Sequence, residues 1–152
     1  MDMIKSLLSD FDVTALLPDL PALFGGMEAV LRLAVMAGPL CMLGLGLFYL
    51  LLPPAEANHN FGYRCFWAMS SVEAWRFTQF IAGATWTVLG LVLTVVMGLI
   101  CNGHRDLSWE AMVWSALWAV VAEIAVVAIS IALINVALLF FFDRKGIRRS
   151  GE

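Results

Sequence analysis

Three long apolar runs constrain this chain more than any other feature. They cover residues 29–52, 77–101 and 109–142, and each exceeds the roughly 20 apolar residues that cross the hydrocarbon core of a bilayer. Of all residues, 62% are hydrophobic and 14% are charged, whereas soluble domains average roughly 45–50% apolar and about 25% charged residues. The sequence therefore predicts an all-α integral membrane protein with three transmembrane helices.

Prolines and serines mark the predicted ends of these helices. The prolines at 53 and 54 end the first helix, and Pro39 predicts a kink inside it. The second helix is predicted to begin at Ser71, with Ser70 as the N-cap of a Ser-x-x-Glu capping box. The third run contains neither Gly nor Pro, which predicts one long helix that is tilted or protrudes from the membrane.

The first 26 residues differ from the rest of the chain. Apolar residues recur there at helical spacing, with polar residues between them, at Ile4, Leu7, Leu8 and Phe11. This pattern predicts a short amphipathic helix on the membrane surface, with a disordered tail as the alternative. Two prolines and the pair Gly25-Gly26 follow and predict a hinge. The chain is thus divided into an amphipathic segment, residues 1–26, and a three-span membrane domain, residues 27–152.

Basic residues predict how the chain is oriented in the membrane. The loop 53–76 and the C-terminal tail 143–152 must lie on the same side, because two spans separate them. Together they carry six Lys and Arg residues, against three on the other side. Because basic residues favour the cytoplasmic side, we expect the first loop and the C-terminus to be cytoplasmic and the N-terminus to be outside.

Small residues recur along one face of the second run. They follow each other at spacings of three or four residues, at Gly83, Thr87, Gly90, Thr94 and Gly98. Such a stripe lets another helix approach closely. The partner is the first or third span of the same chain, or the same span of another copy. We expect a homo-oligomer, most simply a dimer.

The third run carries one charge deep in its apolar stretch, Glu123. An ionisable group in the membrane is expensive and should face protein or water. Glu123 either binds a cation, a proton or a ligand, or it holds helices together through hydrogen bonds. Arg32 is placed where it could reach Glu123, although Glu28 is a ready partner on its own helix. Two further polar residues of the third run, Ser130 and Asn135, complete the intramembrane polar set.

The first loop carries the most specific pattern in the chain. From residue 60 it reads NFGYRCFWAMSSVEAWRFTQFIAG, with a Gly-aromatic-Arg element, then a Ser, a Trp, an amide residue and a Gly that enters the second span. This pattern resembles the SdpI-like family of small bacterial multi-pass membrane proteins, whose namesake is an immunity protein against a secreted killing factor. Cys65 and Gln79 stand where that family commonly has Thr and Asn.

The resemblance implies a set of motif residues and a function. The motif falls on Asn60, Gly62, Tyr63, Arg64, Ser70, Trp75, Gln79 and Gly83. Tyr and Trp favour the membrane interface, so we expect the aromatic loop to pack onto the ends of the spans. Gly62 would allow a tight turn or a close backbone approach. Arg64 would be either a structural latch or a clamp for a ligand, since its planar fork suits both roles.

The resemblance implies a protein of the bacterial cytoplasmic membrane that binds, neutralises or senses a membrane-active peptide or protein toxin. A small oligomeric transporter or channel, or a structural subunit of a membrane complex, is the alternative. We do not expect an enzyme, because the sequence shows no Ser/His/Asp set, metal motif or phosphate loop. We expect no cofactor, metal or nucleic acid, and we expect both histidines, His59 and His104, to be on the surface.

Overall fold

The computed structural model describes residues 20–54, 57, 61–104 and 107–149. The predicted amphipathic helix, Asn60 and His59 lie outside the described residues. Side chains are described from residue 25 onward.

Three long helices make up the part of the chain that the structure describes. Helix α1 covers Leu20–Leu51, α2 covers Val72–Gly103 and α3 covers Trp109–Phe141. A short 3-10 helix, Ala68–Ser70, precedes α2. The stretches Gly25–Leu51, Val72–Gly103 and Trp109–Phe141 are each long and apolar enough to cross a membrane. The predicted all-α architecture with three membrane-spanning helices is therefore confirmed.

Two local predictions were wrong. Helix α1 continues through Gly25 and Gly26, so these glycines form no hinge; a proline in the first turn, Pro21, is tolerated there because its missing N–H would have no partner in the helix. The N-cap of α2 is Ser71, whose hydroxyl accepts a hydrogen bond from the Ala74 N–H at 3.0 Å. Ser70 belongs to the 3-10 helix, and its hydroxyl donates to the Trp67 carbonyl instead.

The small-residue stripe of α2 packs against α1 of the same chain. A Cβ added at Gly90 would lie 2.5 Å from the Leu43 backbone nitrogen, and one added at Gly83 would lie 2.9 Å from the Leu50 side chain. From the other side, Gly46 of α1 lies directly against Thr87. Glycines thus allow close contact between the two backbones. The sequence left open which helix packs on this stripe, and in the structure it is α1. At Gly98 the stripe faces open space.

Helix α3 closes the bundle through contacts at both of its ends. Near its start, Ala116 and Ala119 pack in a buried cluster with Val35, Met97 and Cys101. Near its end, Leu138 and Phe142 pack with Ala68, Ala74 and Trp75. The middle of α3 borders a cavity between α3 and α1.

After α3 the chain makes a tight turn and folds back onto the bundle. We call residues 142–149 the tail. Asp143 and Gly146 are the first and last residues of the turn, joined by a backbone hydrogen bond of 3.1 Å, and Gly146 has a φ of 72°. The Asp143 carboxylate accepts hydrogen bonds from the backbone N–H groups of Lys145 and Ile147. Ser71 donates its hydroxyl proton to the Gly146 carbonyl at 2.7 Å. The tail and the start of α2 therefore lie at the same end of the bundle.

Candidate functional site

Gln79 holds the first loop to the second helix. Its side-chain oxygen accepts a hydrogen bond from the Tyr63 N–H at 2.8 Å, and its side-chain nitrogen donates to the Tyr63 carbonyl at 3.0 Å. Gln79 is completely buried. A primary amide carries one acceptor and a donor group on the same plane, so a single side chain satisfies both backbone groups of Tyr63.

Gly62 and Trp75 fix the shape of the loop just before Tyr63. Gly62 has a φ of 110°, a conformation that residues with a Cβ rarely adopt. A Cβ at this position would also lie 2.7 Å from the Trp75 ring and 3.0 Å from the Gln79 side-chain oxygen. Trp75 is completely buried and donates its indole N–H to the Pro54 carbonyl at 2.9 Å. Gly62 therefore combines a positive φ with a close approach to the Trp75 ring, and a larger side chain would be unfavourable for both reasons.

The Tyr63 side chain points from the loop into the bundle. Its ring meets Trp86 edge-on, with centroids 5.7 Å apart, and its hydroxyl donates to the Ile131 carbonyl of α3 at 3.4 Å. Burial raises the pKa of the Tyr63 phenol, with Cys65 raising it further and a hydrogen bond to Asn135 lowering it. The hydroxyl thus remains a proton donor, and Tyr63 links the loop to both α2 and α3.

Ser130 takes part in the same region. Its hydroxyl accepts the Trp86 indole N–H at 3.0 Å and donates to the Val127 carbonyl at 2.7 Å. Indole and hydroxyl thereby satisfy each other inside the bundle. Of the predicted intramembrane polar residues, Ser130 and Asn135 therefore lie beneath the loop, next to Trp86 and Tyr63 respectively.

A second face of the loop is exposed. The Phe61 and Phe66 side chains are 64% and 78% accessible, and Arg64 between them is also exposed. Phe66 contacts Trp67 edge-on, with ring centroids 5.6 Å apart. The expectation that the loop packs onto the spans thus holds for Tyr63. Phe61 and Phe66 lie on the exposed side of the loop instead.

These residues fall within a region that matches a known family. The model of the SdpI/YfhL protein family matches residues 55–139, which is more than half of the chain. The chain belongs to the SdpI/YfhL protein family. Comparisons with curated proteins and with solved structures gave no match.

Seven of the eight motif residues predicted for this SdpI/YfhL protein lie in the described part of the chain. The structure brings Gly62, Tyr63, Trp75 and Gln79 into one buried contact group. The other three have separate surroundings. Gly83 packs on α1 one turn further along α2, Ser70 lies against Gly146 of the tail, and Arg64 is exposed.

The sequence left open an interaction between Arg32 and Glu123, but the two residues do not pair in the structure. Arg32 forms an ion pair with Glu28, one turn earlier on α1. Glu123 is 6% exposed, and its Oε2 atom lies against Gly38 of α1. Its Oε1 atom is buried and has no hydrogen-bond partner among the described residues. The i, i+4 spacing explains the outcome, since Glu28 reaches Arg32 without any movement between helices.

Two features of the structure were not expected from the sequence. His104 is buried, not on the surface, because the chain turns after α2 and its Nε2 atom meets the Ser115 hydroxyl at 3.0 Å. The tail contact with Ser71 was also missed. The segment Asp143-Arg144-Lys145-Gly146 carries the signal that would have predicted its turn, because Asp at the first position and Gly at the fourth are typical of a type I turn.

Proposed function

We propose that this SdpI/YfhL protein resides in a bacterial cytoplasmic membrane and protects the cell by binding or sensing a membrane-active peptide or protein toxin. In this proposal the first loop and the C-terminus are cytoplasmic, because six of nine basic residues lie in these segments. The protein acts by binding and not by catalysis. The relationship to a family whose namesake confers immunity supports the proposal.

One observation carries the binding role: the loop has a fixed inner side and an exposed outer side. Gln79 and Trp75 hold the inner side in place, so the outer side does not need to be ordered when a partner binds. A preformed surface binds more tightly because less conformational entropy is lost on binding.

The chemistry of the outer side fits a peptide at the membrane interface. Phe61 and Phe66 offer large exposed apolar surfaces, and Arg64, which lies between them in the sequence, is exposed as well. Aromatic and Arg side chains dominate the energetics of many protein interfaces. A guanidinium pairs well with a carboxylate, such as an acidic side chain or the C-terminus of a peptide. We therefore place the contact with the toxin on Phe61, Arg64 and Phe66.

Survival of cells tests the proposal. The gene is deleted, and the deletion strain is challenged with spent medium from a panel of neighbouring strains, with and without the gene restored. We expect at least one medium to kill the deletion strain selectively, and restoration to protect it. The double variant Phe61→Ala/Phe66→Ala should express and fold but fail to protect. If deletion changes survival in none of the media, the immunity role is wrong.

A second candidate function is transport by an oligomer, favoured by the buried Glu123 carboxyl within the spans. Its test is solute or proton flux into liposomes, which Glu123→Gln should abolish. The homo-oligomer itself is a separate proposal, most simply a dimer. Crosslinking and native mass spectrometry in mild detergent test it, and a monomer at high protein concentration in every detergent would contradict it.

A further inference from the structure

A cavity of about 430 Å³ lies between the middle of α1 and the middle of α3. This volume falls within the range of about 300–1,000 Å³ that is common for small-molecule sites. Apart from one carboxyl group, its walls are apolar, and they include Pro39, Met42, Leu93 and Val127. We call it the Glu123 cavity, after that carboxyl group.

The cavity opens on the outer surface of the helix bundle. Ile124 and Ile131, which line it, are 64% and 37% exposed. A smaller cavity of about 170 Å³ shares Gly38, Met42 and Val127 with it and extends along α1 to Leu45. In a protein whose three helices span the bilayer, this surface faces the acyl chains. The cavity is therefore accessible to an apolar molecule from within the membrane.

One oxygen of the Glu123 carboxyl group has no hydrogen-bond partner among the described residues. This oxygen is Oε1, and the residue is more than nine-tenths buried. Arg32 is held by Glu28 on its own helix. A buried carboxyl group without a hydrogen bond loses the free energy of hydration without compensation. A ligand that supplies an N–H donor would restore that hydrogen bond.

We propose that the Glu123 cavity binds a lipophilic amine, with the apolar part between α1 and α3 and the nitrogen on the Glu123 carboxyl group. An unpaired carboxylate in the membrane has a high free energy, so the protein without a ligand is more stable when the Glu123 carboxyl group is protonated. A neutral amine can reach it through the bilayer. Transfer of the carboxyl proton to the amine nitrogen then gives an ammonium–carboxylate pair, and the total charge of protein and ligand does not change.

Other ligand classes fit the cavity less well. An anion would meet the Glu123 oxygens and no cation. A metal ion needs several oxygen, nitrogen or sulfur ligands, whereas no group of three His, Cys, Asp or Glu suited to a metal exists among the described residues. An alcohol could donate one hydrogen bond, but it cannot accept the proton to form an ion pair. Charge-assisted hydrogen bonds are roughly twice as strong as neutral ones, which favours the amine.

Thermal unfolding of the purified protein in a mild non-ionic detergent tests this site. The probe is dodecylamine, and dodecanol is the matched probe without the nitrogen. A ligand that binds only the folded state raises the Tm. We expect dodecylamine to raise the Tm of the wild-type protein, dodecanol to have a smaller effect, and Glu123→Gln to remove the difference between them. Equal effects of the two probes on the wild-type protein would overturn the proposal.

Chemical labelling gives a second readout that does not depend on the folding of the Glu123→Gln variant. An apolar carbodiimide reacts with protonated carboxyl groups inside membranes, and mass spectrometry detects the adduct. In liposomes of zwitterionic lipid we expect Glu123 to be labelled, and dodecylamine to slow the labelling at least tenfold. Absence of labelling in the wild-type protein would show that the carboxyl group is not reachable from the bilayer, which contradicts the proposal.

Two matched variants locate the effect. Ala128 lines the Glu123 cavity, whereas Ala125, one turn earlier on the same helix, does not; both are exposed. Ala128→Phe should fill the cavity and abolish the protection by dodecylamine, and Ala125→Phe should keep it. Equal protection in both variants would place the amine elsewhere. The site is separate from the first loop, so this result is independent of survival in toxin assays.

Discussion

Gln79 is the residue whose replacement should damage the first loop most. The two hydrogen bonds that it makes with the Tyr63 backbone join residues 16 positions apart, and neither is part of a helix. Gln79→Leu keeps a side chain of similar volume but removes the donor and the acceptor together. The buried N–H and C=O groups of Tyr63 then lose their partner.

The expected cost follows from the two lost hydrogen bonds. A buried donor or acceptor that loses its partner costs about 1–3 kcal/mol, so the two groups together give a decrease of roughly 2–6 kcal/mol in the free energy of unfolding. For a chain of about this size 1 kcal/mol corresponds to roughly 2–4 °C in Tm. We therefore expect Gln79→Leu to lower the Tm by at least about 4 °C.

Thr78 provides the matched control. It is adjacent to Gln79 and equally buried, but its hydroxyl donates only to the Ala74 carbonyl of its own helix. That carbonyl also accepts the regular helical hydrogen bond, so Thr78→Val should cost about 1 kcal/mol or less. Thermal unfolding of both variants in the same detergent compares them. A Gln79→Leu protein that is as stable as Thr78→Val would refute the reasoning, because the loop would then not depend on this contact.

Three further predictions concern the loop and the topology. Gly62→Ala should lower the Tm, because Gly62 has a positive φ and lies close to the Trp75 ring. Gly98→Ala should leave the Tm unchanged, because a Cβ at that position meets nothing within 4 Å. Equal Tm values for the two variants would contradict this prediction. Arg64→Ala should keep the Tm of the wild-type protein but lose protection against the toxin. Arg64→Lys should not restore protection, because lysine lacks the planar guanidinium fork. A fall in Tm would favour the structural latch instead. Ser150→Cys, in a variant without native cysteines, should resist an impermeant thiol reagent in intact cells, and labelling there would overturn the proposed orientation.

The sequence was sufficient to predict the helices because long apolar runs have few alternatives in a membrane. Each span must satisfy its own backbone hydrogen bonds, and a helix achieves this without partners. The end of α1 was predicted within one residue, since two prolines follow it. The hinge was wrong because glycine lowers the stability of a helix but does not forbid it.

The candidate site was harder to predict because its contacts join distant parts of the chain. The motif identified Gly62, Tyr63, Trp75 and Gln79 together, yet nothing in the sequence shows that Gln79 uses both ends of its amide on Tyr63. The tail contact with Ser71 joins residues 75 positions apart. No local pattern could have predicted that contact, although the turn that makes it had a signal in Asp143 and Gly146.

The side chains around the first loop differ in whether their polar or apolar groups are already used in contacts that stabilise the fold. Trp75 and Gln79 use their polar atoms on the Pro54 and Tyr63 backbones, so a ligand could reach those atoms only by disrupting the loop. Phe61 and Phe66 project from the loop with most of their surface exposed. Because the buried contacts already fix the backbone, substitutions at the two phenylalanines should leave stability nearly unchanged. Loss of protection in such variants would then report on binding itself and not on the folding of the loop.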